Sequence, residues 1–591
     1  MRGSLGRRAL LRASRGLDRV APWHALPRPL GLLGLVGIRT ALRAHNLYDP
    51  APPRQGGPAP AAGVAGRPFG RNQPMWGLPP RDPESLVTPS PRVVSERLLA
   101  RNGAFRPVPF LNLLAAAWLQ FMVHDWMSHG PGAAGEDIRV PLADGDRWAA
   151  RSAAGEMLVR RTRPSLDRRA PAGAPVFDNT ESAWWDGSQL YGSTPAREAQ
   201  VREGAGGRIA MGRDGLLPLE GRTGVDLTGV NGNWWLGLAA MHTLFAREHN
   251  AVCAMLAGAH PGWDDDRLFA TARRVTAAVM AKIHTVEWTP AIIPHPTVHA
   301  AMRSNWYGLL GPRGSRVLRR WTRADVLIGI PGSRCDDHGV PYSLTEEFVS
   351  VYRMHPLLPD ELALRNGAAG GAGGWTRVPM TAVTGPAART AMEAYGLAGV
   401  VASFGHVRPG MLALHNYPDT LRDLVRPTSH GSERRIDLAS VDVLRDRERG
   451  VPRYNDFRRM LRMRPVRSFE ELTGGDAATA AELRDVYGDV EAVDLMVGCY
   501  AEPLLEGFGF SETAFRIFVL MASRRLKSDP RFTDEWGPGH YTREGMRWIE
   551  DATMAGVIRR HLPELGPTLD ALPGSPFAPW GPEPSFNRTW R

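Results

Sequence analysis

The sequence predicts a mainly α-helical protein built around one large domain. Long stretches repeat apolar residues at helical spacing, few segments alternate strictly as strands do, and no internal repeat is visible. Its 591 residues allow several ordinary domains or one unusually large one. Hydrophobic residues at 43% supply a sizeable core, and eighteen Trp with twenty Met suit a large apolar pocket as well as ordinary packing.

The first fifty residues are arginine-rich, with Asp18 and Asp49 as their only acids. Their apolar run, Pro29 to Ile38, is broken by Gly31, Gly34 and Gly37 and is too short to span a bilayer. Segment 1–50 can lie on an anionic membrane surface; the plainer alternative is a frayed or transit-like terminus. Residues 51–68 are rich in Pro, Gly and Ala and form an arm or linker. The remainder, 69–591, is the large domain.

Within it, residues 111–127 are apolar on most faces, which predicts a buried helix. Residues 129–176 lack helical pattern and read as a long surface excursion. Helices are expected over 234–257 and 266–288. A further helix over 343–355 would start at a capping box formed by Ser343 and Glu346. Residues 366–374, nearly all Gly and Ala, read as a flexible loop. Ser511 caps the last strong helix, 511–526, whose end carries Arg524, Arg525 and Lys527, where cations suit the helix dipole.

The net charge of +11 invites a nucleic-acid reading, which the residues do not support. Only Lys282 and Lys527 are lysines, and no zinc-finger, RNP or helix-turn-helix signature is present. Cys253, Cys335 and Cys499 are odd in number and widely spaced, so neither a disulfide framework nor a zinc site is indicated, and cytoplasmic residence fits.

Two segments suggest a haem pocket. In Trp118-Leu-Gln120-Phe-Met-Val-His124-Asp125-Trp126, Gln120 and His124 stand four apart on one helix face. Burying that polar pair costs energy unless partners exist. A distal peroxide site would use both: His124 to move a proton between peroxide oxygens, Gln120 to hydrogen-bond the iron ligand. Taken alone, His124 reads more plainly as a satisfied core histidine. In Glu347-Phe-Val-Ser-Val-Tyr352-Arg-Met-His355-Pro, His355 would hold the iron. Tyr352, three residues earlier, would share its helical side, near enough for electron exchange.

Longer motifs add to this. Asn305-Trp-Tyr-Gly-Leu-Leu-Gly311, His338-Gly-Val-Pro-Tyr-Ser-Leu-Thr345-Glu and Ser350-Val-Tyr352-Arg-Met-His355 closely resemble the plant fatty-acid α-dioxygenases. So do His242-Thr-Leu-Phe-Ala-Arg-Glu-His249-Asn, Asp446-Arg-Glu-Arg-Gly-Val-Pro-Arg-Tyr454-Asn, Ser511-Glu-Thr-Ala-Phe515 and Ala522-Ser-Arg-Arg525-Leu. The likeness runs from about Asn46 to the last fifty residues.

The resemblance implies a single helical haem peroxidase-like domain with very little β, haem b and calcium as cofactors, and a fatty acid, O2 and a peroxide activator as partners. It assigns His124 as distal histidine, His355 as iron ligand and Tyr352 as radical carrier. In the implied reaction, Tyr352 loses an electron and a proton, and its radical takes hydrogen from C2. Oxygen adds there to give a 2-hydroperoxy acid, which can lose carbon dioxide to leave a shortened aldehyde.

Asn179-Thr-Glu-Ser182-Ala-Trp184-Trp185-Asp186-Gly-Ser188 resembles the family's calcium loop. Asp186, Ser182, Ser188 and the Trp184 carbonyl offer hard oxygens, with Asp125 completing the set; a capping turn is the plainer reading. The family usually has threonine where Ser182 stands, so a hydroxyl is kept. His284, Thr289 and Arg525 match family positions for the substrate carboxylate, with Arg524 the alternative to Arg525. His242, Arg247 and His249 read as structural. Two other readings stay open: a peroxidase oxidising small donors, and a catalytically silent haem-binding membrane-associated protein.

Overall fold

The computed structural model describes residues 22–584, less 51–63, 76–77, 79–81, 134, 149–154, 166–175, 366–373 and 428–432. It is 51% helix and 8% strand, and the strands pair only into two-stranded antiparallel sheets, so the mainly α expectation holds. Residues 1–21 of the N-terminal segment, 51–63 of the arm 51–68 and 366–373 of the loop 366–374 lie outside the described residues, and the end of the arm, Arg67–Pro68, pairs with Asp178–Asn179.

The helices that place the site are α1 (Arg28–His45), α2 (Leu113–Val123), α3 (Leu236–Ala259), α4 (Asp265–Ile283), α5 (Pro296–Tyr307), α6 (Gly311–Leu318), α7 (Glu346–Val351), α8 (Ala387–His406), α9 (Leu438–Glu448) and α10 (Glu512–Lys527). Helix α2 has no charged residue, and nine of its eleven residues are buried. It sits in the middle, packed on α3 and α8, because an all-round apolar helix has no face for water. Asp264 caps α4 by accepting from the Arg267 amide, and Ser511 caps α10 by accepting from the Ala514 amide.

Helix α4 runs into a widened π-turn, His284–Trp288. There the Thr285 hydroxyl donates to the Ala281 carbonyl at 2.7 Å, competing with the helical ladder. The turn aims His284, Trp288 and Thr289 at the same cavity wall.

Three local expectations change. The glycine-broken run near the N-terminus is a continuous helix whose glycine side packs on the protein. A Cβ at Gly31 would meet the Trp23 carbonyl at 2.8 Å, and one at Gly34 would meet the Trp23 Cβ at 3.2 Å. The glycines allow close approach to α5 and α10, although Leu30 and Leu33 stay exposed. Within 129–176, Asp137–Pro141 pairs with Glu156–Arg160 as a hairpin. Its inward Ile138, Val140, Met157 and Val159 pack with Leu86, Trp148 and Leu444 in a small second core.

The third change concerns 343–355. Thr345, not Ser343, caps α7 by accepting from the Phe348 amide, and the Glu346 carboxylate instead meets His129. The helix stops at Val351 with Tyr352 as its C-cap, and His355 begins a separate 3-10 turn. Pro356 bars the helix from running on through His355: it has no N–H to return to the Tyr352 carbonyl, and the residue before a proline is disfavoured in α-helix. Tyr352 and His355 therefore do not share a helical side.

Among the described residues no helix is long and apolar enough to cross a membrane.

Candidate active site

An apolar cavity, continuous with solvent, opens between α1, α5 and α10. Tyr352, His284, Thr289 and Arg525 all line it; Arg524 does not. Trp126, Phe348 and Phe518 surround the Tyr352 ring edge-to-face, with centroids 5.6, 5.0 and 4.9 Å away. Burial pushes the Tyr352 hydroxyl above its ordinary range, so it keeps its proton at neutral pH.

Arg525 is 2% exposed and held from three directions. Its Nε donates to the Ala183 carbonyl at 2.7 Å, its Nη2 donates to the Trp184 carbonyl, and its guanidinium lies 3.7 Å over the Trp126 ring. The Nη1 atom is buried with no hydrogen-bond partner among the described residues. A buried cationic donor left over at a cavity wall suits an anionic ligand. Arg524 turns elsewhere, donating to the Asp337 and Val340 carbonyls.

Trp118 Nε1 donates to His284 Nδ1 at 3.3 Å, which places the proton of the neutral ring on Nε2. Burial, and then the nearby Arg525, lower the His284 pKa to about 3, so it enters the site as a neutral donor. Thr289 gives its hydroxyl proton to the His284 carbonyl at 2.8 Å and offers a ligand only lone pairs in this rotamer.

Gln120 and His124 both face the segment before α3. The Gln120 carbonyl accepts from Trp235 Nε1 at 2.7 Å, and His124 Nε2 lies 2.6 Å from the Gly232 carbonyl. His124 Nδ1 is buried without a partner among the described residues, and burial lowers the ring's pKa to about 4.

His355 Nδ1 lies 2.8 Å from Asp442 Oδ2 on α9. Arg353 Nη1 donates to Asp442 Oδ1 at 2.9 Å, and the Tyr417 hydroxyl donates to Oδ2 at 2.8 Å. Burial opposes the charge on Asp442, but His355 and Arg353 outweigh it and hold the carboxyl at about 2. The sequence reading missed Asp442. Its i, i+4 spacing to Asp446, which also binds Arg353, was the available signal.

The 182–188 loop brings its oxygens together around Asp186. Ser182 Oγ donates to Asp186 Oδ2 at 2.8 Å and the Ser188 amide to Oδ1 at 3.1 Å. Ser188 Oγ and the Gln189 amide donate to Asp125 Oδ2 at 2.6 and 3.0 Å. Asp125 Oδ1 is buried without a partner among the described residues, and burial raises this carboxyl to about 7. The Trp184 carbonyl already accepts from Arg525. Among the described residues no cluster of three or more His, Cys, Asp or Glu is arranged for a metal, so a cation here would rely on hydroxyl and carbonyl oxygens too.

His242, Arg247 and His249 are tied to backbone. They bond the carbonyls of Leu238, Gly215 and Gly207 respectively, and His249 also meets the Tyr191 hydroxyl at 2.9 Å.

Comparison with known proteins fixes the class first: the animal haem peroxidase family model matches residues 58–571. Alpha-dioxygenase PIOX of Oryza sativa is 38% identical over 93% of this chain and 91% of the relative. Alpha-dioxygenase 2 of Arabidopsis thaliana is 37% identical over 96% and 92%. The crystal structure of a tyrosine-to-phenylalanine variant of Oryza sativa fatty acid alpha-dioxygenase with palmitic acid superposes with a TM-score of 0.87. It is 36% identical and covers 98% of both chains. Within the animal haem peroxidases, the chain belongs to the fatty-acid α-dioxygenases.

Proposed function

We propose that the protein is a haem-dependent α-oxygenase of long-chain fatty acids, forming 2-hydroperoxy acids. The observation that carries this is one apolar cavity holding both the Tyr352 ring and the leftover Arg525 donor. The similar rice enzyme has been crystallised with palmitic acid, which fits a cavity of this character.

The residues present suit haem b. Asp442 occupies the Nδ1 side of His355 and leaves Nε2 for iron, the carboxylate–histidine arrangement typical of metal ligands. Haem, when bound, supplies the one-electron oxidant that the side chains lack. His124, neutral above about pH 4, can accept and return a peroxide proton, with the Gln120 amide as a neighbouring donor.

Arg525 and the His284 Nε2–H hold the substrate carboxylate, with Thr289 beside them, and the aromatic walls exclude water from the reacting carbon. Once Tyr352 is a phenoxyl radical, its oxygen takes a hydrogen atom from C2. O2 adds to the carbon radical, and the peroxyl radical recovers a hydrogen atom from Tyr352. This yields the 2-hydroperoxide and restores the phenoxyl. Loss of carbon dioxide and water from the product leaves an aldehyde one carbon shorter.

A calcium ion at Asp125, Ser182, Trp184, Asp186 and Ser188 belongs to this reading. The buried, unpartnered Asp125 Oδ1 supports it.

Mass spectrometry of products from purified protein, palmitate, peroxide and O2 tests the function. The 2-hydroperoxide and the shortened aldehyde are expected. Oxidation of small donors with no oxygenated palmitate would leave an ordinary peroxidase.

A further inference from the structure

The cavity opens onto a face unlike the rest of the surface. Leu309, Leu310, Val317 and Trp321 are 53%, 62%, 62% and 84% exposed, and Leu30 and Leu33 of α1 add 44% and 57%. With Val326 and Leu327, eight of the thirteen large exposed apolar side chains among the described residues stand on two segments, α1 and 309–327. The two are neighbours. Helix α5, which leads into the 309–321 segment, packs on α1, and Leu32 and Leu309 both line the cavity. An apolar patch rimming a pocket marks an interaction surface rather than scattered surface residues.

Charge identifies the occupant. Between residues 296 and 328 there are six arginines and a single acid, Asp325. Arg303, Arg313, Arg316, Arg320 and Arg323 are exposed there; Arg316 pairs with Glu550 at 3.2 Å, and Asp325 sits 3.9 Å from Arg39. A second copy of the chain would set arginines against arginines. An anionic bilayer would satisfy both features, with headgroups on the guanidinium groups and the Trp321 ring and leucines at the acyl boundary.

We infer that this rim, centred on α6 and Trp321, is a docking face for an anionic lipid bilayer, through which the cavity draws its substrate from the membrane. The route rests on the fatty-acid reading above, because a long acyl chain is held by lipid in preference to water. The docking itself does not depend on that reading. The face is separate from the glycine side of α1, which packs on the protein.

The test is flotation of the full-length protein with phosphatidylcholine vesicles, with and without phosphatidylglycerol. Wild type should float with the anionic vesicles, and added salt should weaken binding. The triple variant Leu310→Ser, Val317→Ser, Trp321→Ser should bind at least about tenfold less. Arg313→Gln with Arg320→Gln should lose most of the preference for anionic vesicles. None of these five side chains lines the cavity, so thermal unfolding and turnover of detergent-dispersed palmitate should match wild type.

Wild type that ignores both vesicles, or a triple variant that floats as wild type does, would overturn the proposal. Self-association of wild type that the triple variant abolishes, with no vesicle binding, would make the face a contact between copies and overturn it equally. Vesicle binding that behaves as expected in a protein yielding no oxygenated fatty acid would defeat the functional reading alone.

Discussion

His355 Nδ1 and Asp442 Oδ2 lie 2.8 Å apart, and Arg353 and Tyr417 hold that carboxylate from its other sides. A histidine oriented this way presents one defined nitrogen to a metal. His355→Ala should abolish stable haem incorporation. Asp442→Ala should weaken haem affinity by roughly 10- to 100-fold. Asp442→Asn, which keeps the shape and removes the charge, should raise the haem midpoint potential. Soret titration and a redox titration check these; unchanged spectra and potential in both Asp442 variants would remove Asp442 from the site.

Tyr352→Phe tests the radical carrier at one atom. Phenylalanine keeps the ring contacts with Trp126, Phe348 and Phe518, so stability should change little. The variant should load haem and consume peroxide through His124, while oxygen uptake with palmitate falls to background. Wild-type oxygen uptake in this variant would place the radical elsewhere.

Arg525→Ala removes a charge-assisted contact that the geometry leaves open for a carboxylate. Such a contact contributes ~1.5–3 kcal/mol, roughly ten- to a hundred-fold in apparent affinity. KM for palmitate should rise by that factor while peroxide consumption survives. Arg524→Ala should leave KM alone and lower stability by about 1–3 kcal/mol, because it strands the Asp337 and Val340 carbonyls. The reverse pattern of KM effects would exchange the two roles.

Calcium and substrate binding should be coupled through the loop. Arg525 is oriented by the carbonyls of Ala183 and Trp184, inside the loop that Asp186 and Ser182 close. Metal analysis should find about one calcium per chain. Chelation, or Asp186→Ala, should lower the unfolding midpoint and raise KM for palmitate more than it lowers peroxide consumption. Full activity in protein shown to be metal-free would exclude the site.

The sequence alone determined what depends on near neighbours. The mainly helical class, the buried helix around Trp118 and the Ser511 cap are all set by residues within a turn or two of one another. The motifs around Tyr352 and Arg525 placed the chain in its family for the same reason, as unbroken local strings. Tertiary structure decided whatever depends on partners distant in the chain. Arg525 takes its direction from carbonyls 342 and 341 residues earlier, and that separates it from Arg524, its neighbour in the same helical turn. Asp442 meets His355 across two elements, and the arc of α7 ends where Pro356 and the packing around Tyr352 allow. In the sequence the glycines of α1 only interrupt an apolar run; in the fold Trp23 and Thr297 take the space that side chains at Gly31 and Gly34 would fill. Backbone preferences and caps act over a few residues, whereas a buried polar group is satisfied by whatever the fold brings within 3 Å, and spacing along the chain does not encode that partner.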